Sequence, residues 1–214
     1  MDFNHLFFLA CEWLGTAAFA ISGAMVAIDK GTDIFGVILL AIVTALGGGT
    51  VRDILIGHFP PRMFTNFQYL LVAAACALTV FVIARTFKDR YIRQEQTIER
   101  IHNVFDAIGL GVFAVSGARI GVEAGFADNA FLVAFLGMTT GVGGGMLRDV
   151  MLQEIPFVLK KRVYAVAAIG GAVVYWALQH VGVSAALAYA LGWATVVVIR
   201  ALAILFNWNL PRAI

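Results

Sequence analysis

Gly47-Gly48-Gly49-Thr50-Val51-Arg52-Asp53-Ile54-Leu55 and Gly143-Gly144-Gly145-Met146-Leu147-Arg148-Asp149-Val150-Met151 are two copies of one pattern in a single chain. Both lie inside long apolar runs, where forming a hydrophobic span calls for neither three glycines nor an arginine beside an aspartate. Each glycine costs a helix interior about 1 kcal/mol relative to alanine, and ionised side chains at membrane depth are more costly still. Repetition of so unfavourable a pattern argues against chance. It reads as a pair of helix breaks lining a polar route through a membrane.

Composition agrees with that setting. Of 214 residues, 61% are hydrophobic and 13% are charged, and the mean hydropathy is +0.89. Soluble domains carry about twice that share of charge, so the chain reads as an integral membrane protein. Cys11 and Cys76 sit in apolar runs without metal-ligand spacing and read as inert thiols. No phosphate-loop, dinucleotide, zinc or nucleophile-elbow motif occurs, so neither an enzyme, a cofactor nor a nucleic-acid partner is expected. Ala18-Phe19-Ala20 imitates a signal-peptidase site, but the preceding segment carries Asp2 and Glu12 and no basic residue. The first apolar run is therefore expected to remain as a mature span.

Seven apolar segments are marked, at roughly 5–28, 34–57, 66–86, 103–121, 129–152, 162–180 and 184–206, each long enough for a hydrocarbon core of about 30 Å. One set of loops and helix ends holds Lys30, Arg85, Lys88, Arg90, Arg93, Arg100, Lys160, Lys161, Arg162, Arg200 and Arg212. The opposite set holds Arg62 and Arg119. That asymmetry places the first set in the cytoplasm, the N-terminus outside and the C-terminus inside. The stretch from Arg85 to His102 reads as a short cytoplasmic helix or loop, a solvated connector of mixed charge in preference to a binding site for anionic lipid headgroups.

The repeat extends beyond the glycines. Phe19-Ala20-Ile21-Ser22-Gly23-Ala24 matches Phe113-Ala114-Val115-Ser116-Gly117-Ala118 at an offset of 94, as Glu12 matches Asp106 and Gly15 matches Gly109. The glycine triplets, and Pro60 with Pro156, match at 96. The predicted organisation is repeat 1 over 1–86, a linker over 87–102, repeat 2 over 103–180, and a seventh helix with its tail over 184–214. Three crossings per repeat turn the second copy upside down, giving an all-α fold of two inverted repeats plus one helix.

Each motif carries two readings. Gly47, Gly48, Gly49, Gly143, Gly144 and Gly145 either bend their helices, freeing carbonyls towards water, or allow close helix packing; the bend is the favoured reading. Arg52-Asp53 and Arg148-Asp149 point about 100° apart along a helix, and the pseudo-twofold suggests crossed pairs, Arg52 with Asp149 and Arg148 with Asp53. A purely structural clamp is the other reading. Glu12, Phe19 and Ser22, and likewise Asp106, Phe113 and Ser116, make a stripe of acid, ring and hydroxyl in each half, suited to a cation route. Hydration at a helix end is the plainer reading of both acids. Arg119 replaces Met25 of the first copy and is expected to snorkel from a helix end rather than to act as a gate.

The doubled Gly-Gly-Gly-x-x-Arg-Asp motif, the doubled Phe-Ala-[Ile/Val]-Ser-Gly-Ala motif and the 3+3+1 layout together resemble the prokaryotic trimeric intracellular cation (TRIC) channels. The resemblance covers nearly the whole chain. It implies a homotrimer in a prokaryotic plasma (inner) membrane, with a pore in each subunit kinked at the glycines and passing potassium and other monovalent cations such as sodium. Some bacterial relatives are described as glycine transporters, so the alternative is a secondary transporter in which Arg52 or Arg148 grips the carboxylate of a small zwitterion.

Overall fold

The computed structural model describes residues 3–160, 163–206 and 208. Every regular element among these is helical. Seven long helices are α1 (Phe3–Asp29), α2 (Ile34–Leu55), α3 (Phe67–Thr86), α4 (Glu95–Gly121), α5 (Ala130–Met151), α6 (Val163–His180) and α7 (Ala185–Leu205). All seven are long and apolar enough to cross a membrane. Single-turn helices Arg62–Thr65 and Phe157–Lys160 follow α2 and α5. Of the basic residues used for orientation, Lys161, Arg162 and Arg212 lie outside the described residues.

Helix starts repeat as the sequence does. Asp33 accepts a hydrogen bond from the Gly36 amide at 2.8 Å, and Asn129 accepts one from the Leu132 amide at 2.9 Å. Both are N-caps, satisfying amides that have no partner inside the helix. After α2 the chain reverses at Gly57 (φ 72°), and after α5 it does so at Gln153 (φ 57°), where an L-residue tolerates the left-handed conformation less readily.

The linker holds a short helix, one of the two forms expected for it, while its second half joins α4. A short helix covers Lys88–Arg93, and α4 begins at Glu95 rather than near 103. Hydropathy marks where hydrocarbon begins, whereas Glu95, Gln96, Glu99 and Arg100 are good helix formers that extend the helix beyond it. The linker is tied down by Tyr91, whose hydroxyl donates to Asp29 Oδ1 at 3.4 Å. Burial, with the nearby Asp29 carboxylate, raises the Tyr91 hydroxyl well above its ordinary range and keeps it a donor.

Packing obeys the inverted repeat. Helices α1, α2 and α3 pack on one another as α4, α5 and α6 do, and α1 meets α4 while α2 meets its counterpart α5. Helix α7 lies against α4 and α6. A Lys30–Glu154 ion pair joins the α1–α2 turn to the α5–α6 turn. The buried core is rich in alanine, including Ala20, Ala24, Ala41, Ala114, Ala167 and Ala168. Small residues are what helix association in lipid requires, because close backbone approach replaces water exclusion as the driving force.

The glycine triplets do not unwind their helices. Helices α2 and α5 run uninterrupted through Gly47–Gly49 and Gly143–Gly145. The two triplets instead lie against each other where α2 crosses α5. A Cβ on Gly48 would strike the Thr140 carbonyl oxygen, and one on Gly144 would strike the Thr44 carbonyl oxygen. A side chain at either position is excluded by backbone, which has nowhere to move. Close packing is therefore one role of these middle glycines in the fold.

Candidate functional site

The arginine-aspartate pairs close within each copy, not across the pseudo-twofold. Arg52 Nε and Nη2 donate to Asp53 Oδ1 at 3.0 and 2.6 Å, and Asp53 Oδ2 accepts the Arg62 amide at 2.9 Å. Arg148 Nε donates to Asp149 Oδ1 at 2.8 Å, its Nη2 stands 2.7 Å from the same oxygen, and Asp149 Oδ2 accepts the Phe157 amide at 2.7 Å. The expected crossed pairing is thereby corrected. Each aspartate is anchored by the returning loop at the end of its own helix, and a long arginine side chain folds back to meet it. The third glycine of each triplet, Gly49 or Gly145, lies beside that folded guanidinium. All four charged residues are buried, so each pair must be matched inside the protein.

Glu12 and Asp106 each meet a tyrosine and an arginine. Glu12 Oε2 accepts the Tyr69 hydroxyl at 2.7 Å, and Oε1 accepts Arg119 Nη2 at 3.1 Å. Arg119 also bonds Glu123 at 2.6 Å and covers the Phe8 ring at 4.3 Å. It is turned into the bundle, which corrects its reading as a snorkelling helix end: two carboxylates and a ring face hold it there. Asp106 Oδ1 accepts the Tyr164 hydroxyl at 3.0 Å, while Arg200 Nη2 stands 3.7 Å from Oδ2. Asp106 is 3% exposed, so a hydrated helix end does not describe it either.

By sequence Arg200 belongs with the basic residues at helix ends, yet it is 2% exposed and lies over Tyr164 at 4.8 Å. Its burial has no signal in the sequence beyond apolar neighbours on both sides. Tyr69 and Tyr164 do have one. They are 95 residues apart, and carrying the repeat past the prolines would find them.

Between the acids, Phe19 and Phe113 stack across the pseudo-twofold with centroids 5.4 Å apart and planes at 29°. Gly109 leaves room for the Phe19 ring, as Gly15 does for Val112 and Phe113. Ser22 and Ser116 lie one turn away and are buried. Beside this stack a cavity of about 100 Å³ lies among Glu12, Thr16, Gly49, Thr50, Arg52 and Ser116, with Arg62 and Tyr69 at its border. Helices of both repeats form it. Among the described residues no group of three His, Cys, Asp or Glu side chains is placed to hold a metal ion.

Fold and site define a class: a membrane protein of two inverted three-helix repeats and a seventh helix, with buried polar residues where the repeats meet. A family model described as glycine transporter matches residues 9–85 and 103–180, one stretch in each half. A UPF0126 membrane protein of Deinococcus radiodurans is 41% identical over 169 residues, 78% of this chain and 74% of that protein. The UPF0126 inner membrane protein YadS of Escherichia coli K12 is 36% identical over 206 residues, 93% and 94% of the two chains. A structure solved to explain conductance through TRIC cation channels superposes with a TM-score of 0.84 at 34% identity, covering 100% of this chain and 98% of that one. The TRIC trimeric intracellular cation channel orthologue from Rhodobacter sphaeroides gives 0.83 at 32%, covering 94% and 98%. The chain belongs to the family that the glycine-transporter model describes, and that family has the TRIC channel fold.

Proposed function

We propose that the protein is a monovalent-cation channel, passing potassium and also sodium, with one pore in each subunit of a homotrimer in a prokaryotic inner membrane, N-terminus outside and C-terminus cytoplasmic. One observation carries this reading. The cavity between the repeats is lined by the oxygen-bearing residues Glu12, Thr16, Thr50 and Ser116, while the charge of Arg52 is taken up by Asp53. Oxygen ligands replace part of a cation's hydration, and an uncompensated arginine would repel it. The solved TRIC cation channels of the same fold support the reading. In it, Phe19 and Phe113 form the constriction, and the glycine-lined α2–α5 crossing is where the helices move against each other.

A second reading rests on the same cavity. It brings Glu12 together with Arg52 and Arg62, opposite charges suited to the ammonium and carboxylate of a small zwitterion such as glycine, and the family model is described as a glycine transporter. Purified protein in a planar bilayer separates the two. Unitary potassium currents are expected. Silence in the bilayer, together with saturable glycine uptake into liposomes of the same preparation, would overturn the channel in favour of the transporter.

A further inference from the structure

The repeat duplicates the buried acids but not the cations that hold them. Glu12 and Asp106 are equivalent, and each accepts the hydroxyl of a tyrosine in its own repeat, Tyr69 or Tyr164. The cation of Glu12 is Arg119, on α4. Applied to that pair, the offset of 94 relating the two halves makes position 25 of α1 the mirrored donor for Asp106, and the residue there is Met25. Met25 is buried and has no charge to give. A buried carboxylate left without a cation is strongly destabilising. Among the described residues the ion-pair partner of Asp106 is Arg200, with Nη2 3.7 Å from Oδ2. That arginine comes from α7, the helix outside the repeat.

The packing of α7 delivers it. Tyr189, Gly192, Val196, Arg200 and Ala203 form a buried stripe at spacings of three and four residues. Two contacts fix the depth of that stripe. The Tyr189 hydroxyl donates to the Val112 carbonyl at 2.9 Å, and a Cβ on Gly192 would lie 2.8 Å from the Gly171 carbonyl oxygen, so α7 meets α6 through backbone. About three turns beyond Tyr189, the Arg200 guanidinium lies 4.8 Å from the centre of the Tyr164 ring and 5.8 Å from that of Phe157. Arg119 is held in the same manner, between Glu12 and the Phe8 ring. Arg148, the other buried arginine of this half, is committed to Asp149. Arg200 Nε and Nη2 have no hydrogen-bond partner among the described residues, so charge rather than a shared proton ties it to Asp106. An apolar side chain would fill the same place in the stripe without the desolvation penalty of an arginine. The guanidinium is there for its charge.

We infer that Arg200 is the counter-ion of Asp106, supplied by α7 in place of the cation that the repeat leaves out at Met25, and that it thereby sets the charge of the second acid along the route. The last clause rests on the reading of the repeat interface as a route; the pairing does not. The test exchanges the two side chains in the full chain, purified in detergent and followed by thermal unfolding. Arg200→Met is expected to lower the melting temperature by roughly 10 °C or more, because it strands a buried carboxylate. Met25→Arg alone lowers it too, by crowding a second cation onto one acid. Combined, the two changes regain at least half of the Arg200→Met loss, a reversal of sign that independent packing defects do not produce. In an Asp106→Asn chain, adding Arg200→Met is neutral or raises the melting temperature. The pairing is overturned if the exchange variant melts no higher than Arg200→Met or fails to fold alongside it. It is equally overturned if Arg200→Met costs as much in the Asp106→Asn chain as in the parent. Potassium flux into liposomes, measured below the melting temperature of each variant, reads the route separately. Where the parent conducts, Arg200→Met passes several-fold less and the exchange variant recovers the flux. Recovered stability without recovered flux leaves Arg200 a counter-ion of the fold and overturns its part in the route. A parent that passes no potassium, with the melting pattern above, keeps the pairing and removes the channel.

Discussion

Asp53 divides its two oxygens, one for the Arg52 guanidinium and one for the Arg62 amide, and Asp149 does the same with Arg148 and Phe157. Replacing the carboxylate with an isosteric amide keeps the shape and removes the charge. Asp53→Asn therefore leaves Arg52 buried and uncompensated, with an expected loss of about 3–5 kcal/mol. Thermal unfolding in detergent measures it. Adding Arg52→Gln to the same chain should recover most of the loss, and adding Arg148→Gln should not. Rescue by Arg148→Gln instead would restore the crossed pairing that this geometry excludes. On the channel reading, Asp53→Asn also lowers potassium conductance, since the freed guanidinium borders the cavity.

At the scale of the helix, the glycines of one triplet differ in what they do. Gly48 and Gly144 face the opposing backbone, so an added methyl group forces α2 and α5 apart. Gly48→Ala and Gly144→Ala are each expected to cost about 1–3 kcal/mol, the usual range for overpacking. Gly49 and Gly145 meet only the guanidinium of their own arginine, at 3.6 Å or more. There alanine is expected to be neutral, or stabilising by up to about 1 kcal/mol through helix propensity. Melting curves of the four variants test this ordering, and an equal loss at all four would sink it. A hinge at Gly49 would show differently, as reduced flux with an unchanged melting temperature.

For the whole molecule, the inverted repeat sets which turns share a side. The Lys30–Glu154 ion pair joins the α1–α2 and α5–α6 turns, so Thr32→Cys and Glu154→Cys should react with an impermeant reagent from the same side of intact cells. His58→Cys and Asp128→Cys should react from the other. Labelling that mixed these pairs would exclude the topology. Large apolar side chains are exposed on many helices, among them Phe35, Phe131 and Leu187, a surface for lipid and for neighbouring subunits. The proposed homotrimer is checked by crosslinking in native membranes, where species ending at the dimer would contradict it.

Spans and repeat were legible because both are written along the chain. Hydropathy is a local sum, and offsets of 94 and 96 residues place Phe19 opposite Phe113 and Glu12 opposite Asp106 without knowledge of any contact. Partner choice was not written there. An arginine side chain reaches several possible carboxylates, and Arg52 went to its own neighbour because the returning loop pins Asp53 through its second oxygen. Arg119 and Arg200 look alike in sequence to any helix-end cation. Only the rotation of α4 and α7 turned them inward, onto Glu12 and towards Asp106. The glycine triplets follow the same division: their cost to a helix was readable in advance, but a bend and a close crossing make the same demand on sequence. The close crossing was set by the carbonyls of Thr44 and Thr140, which occupy the space a side chain would need.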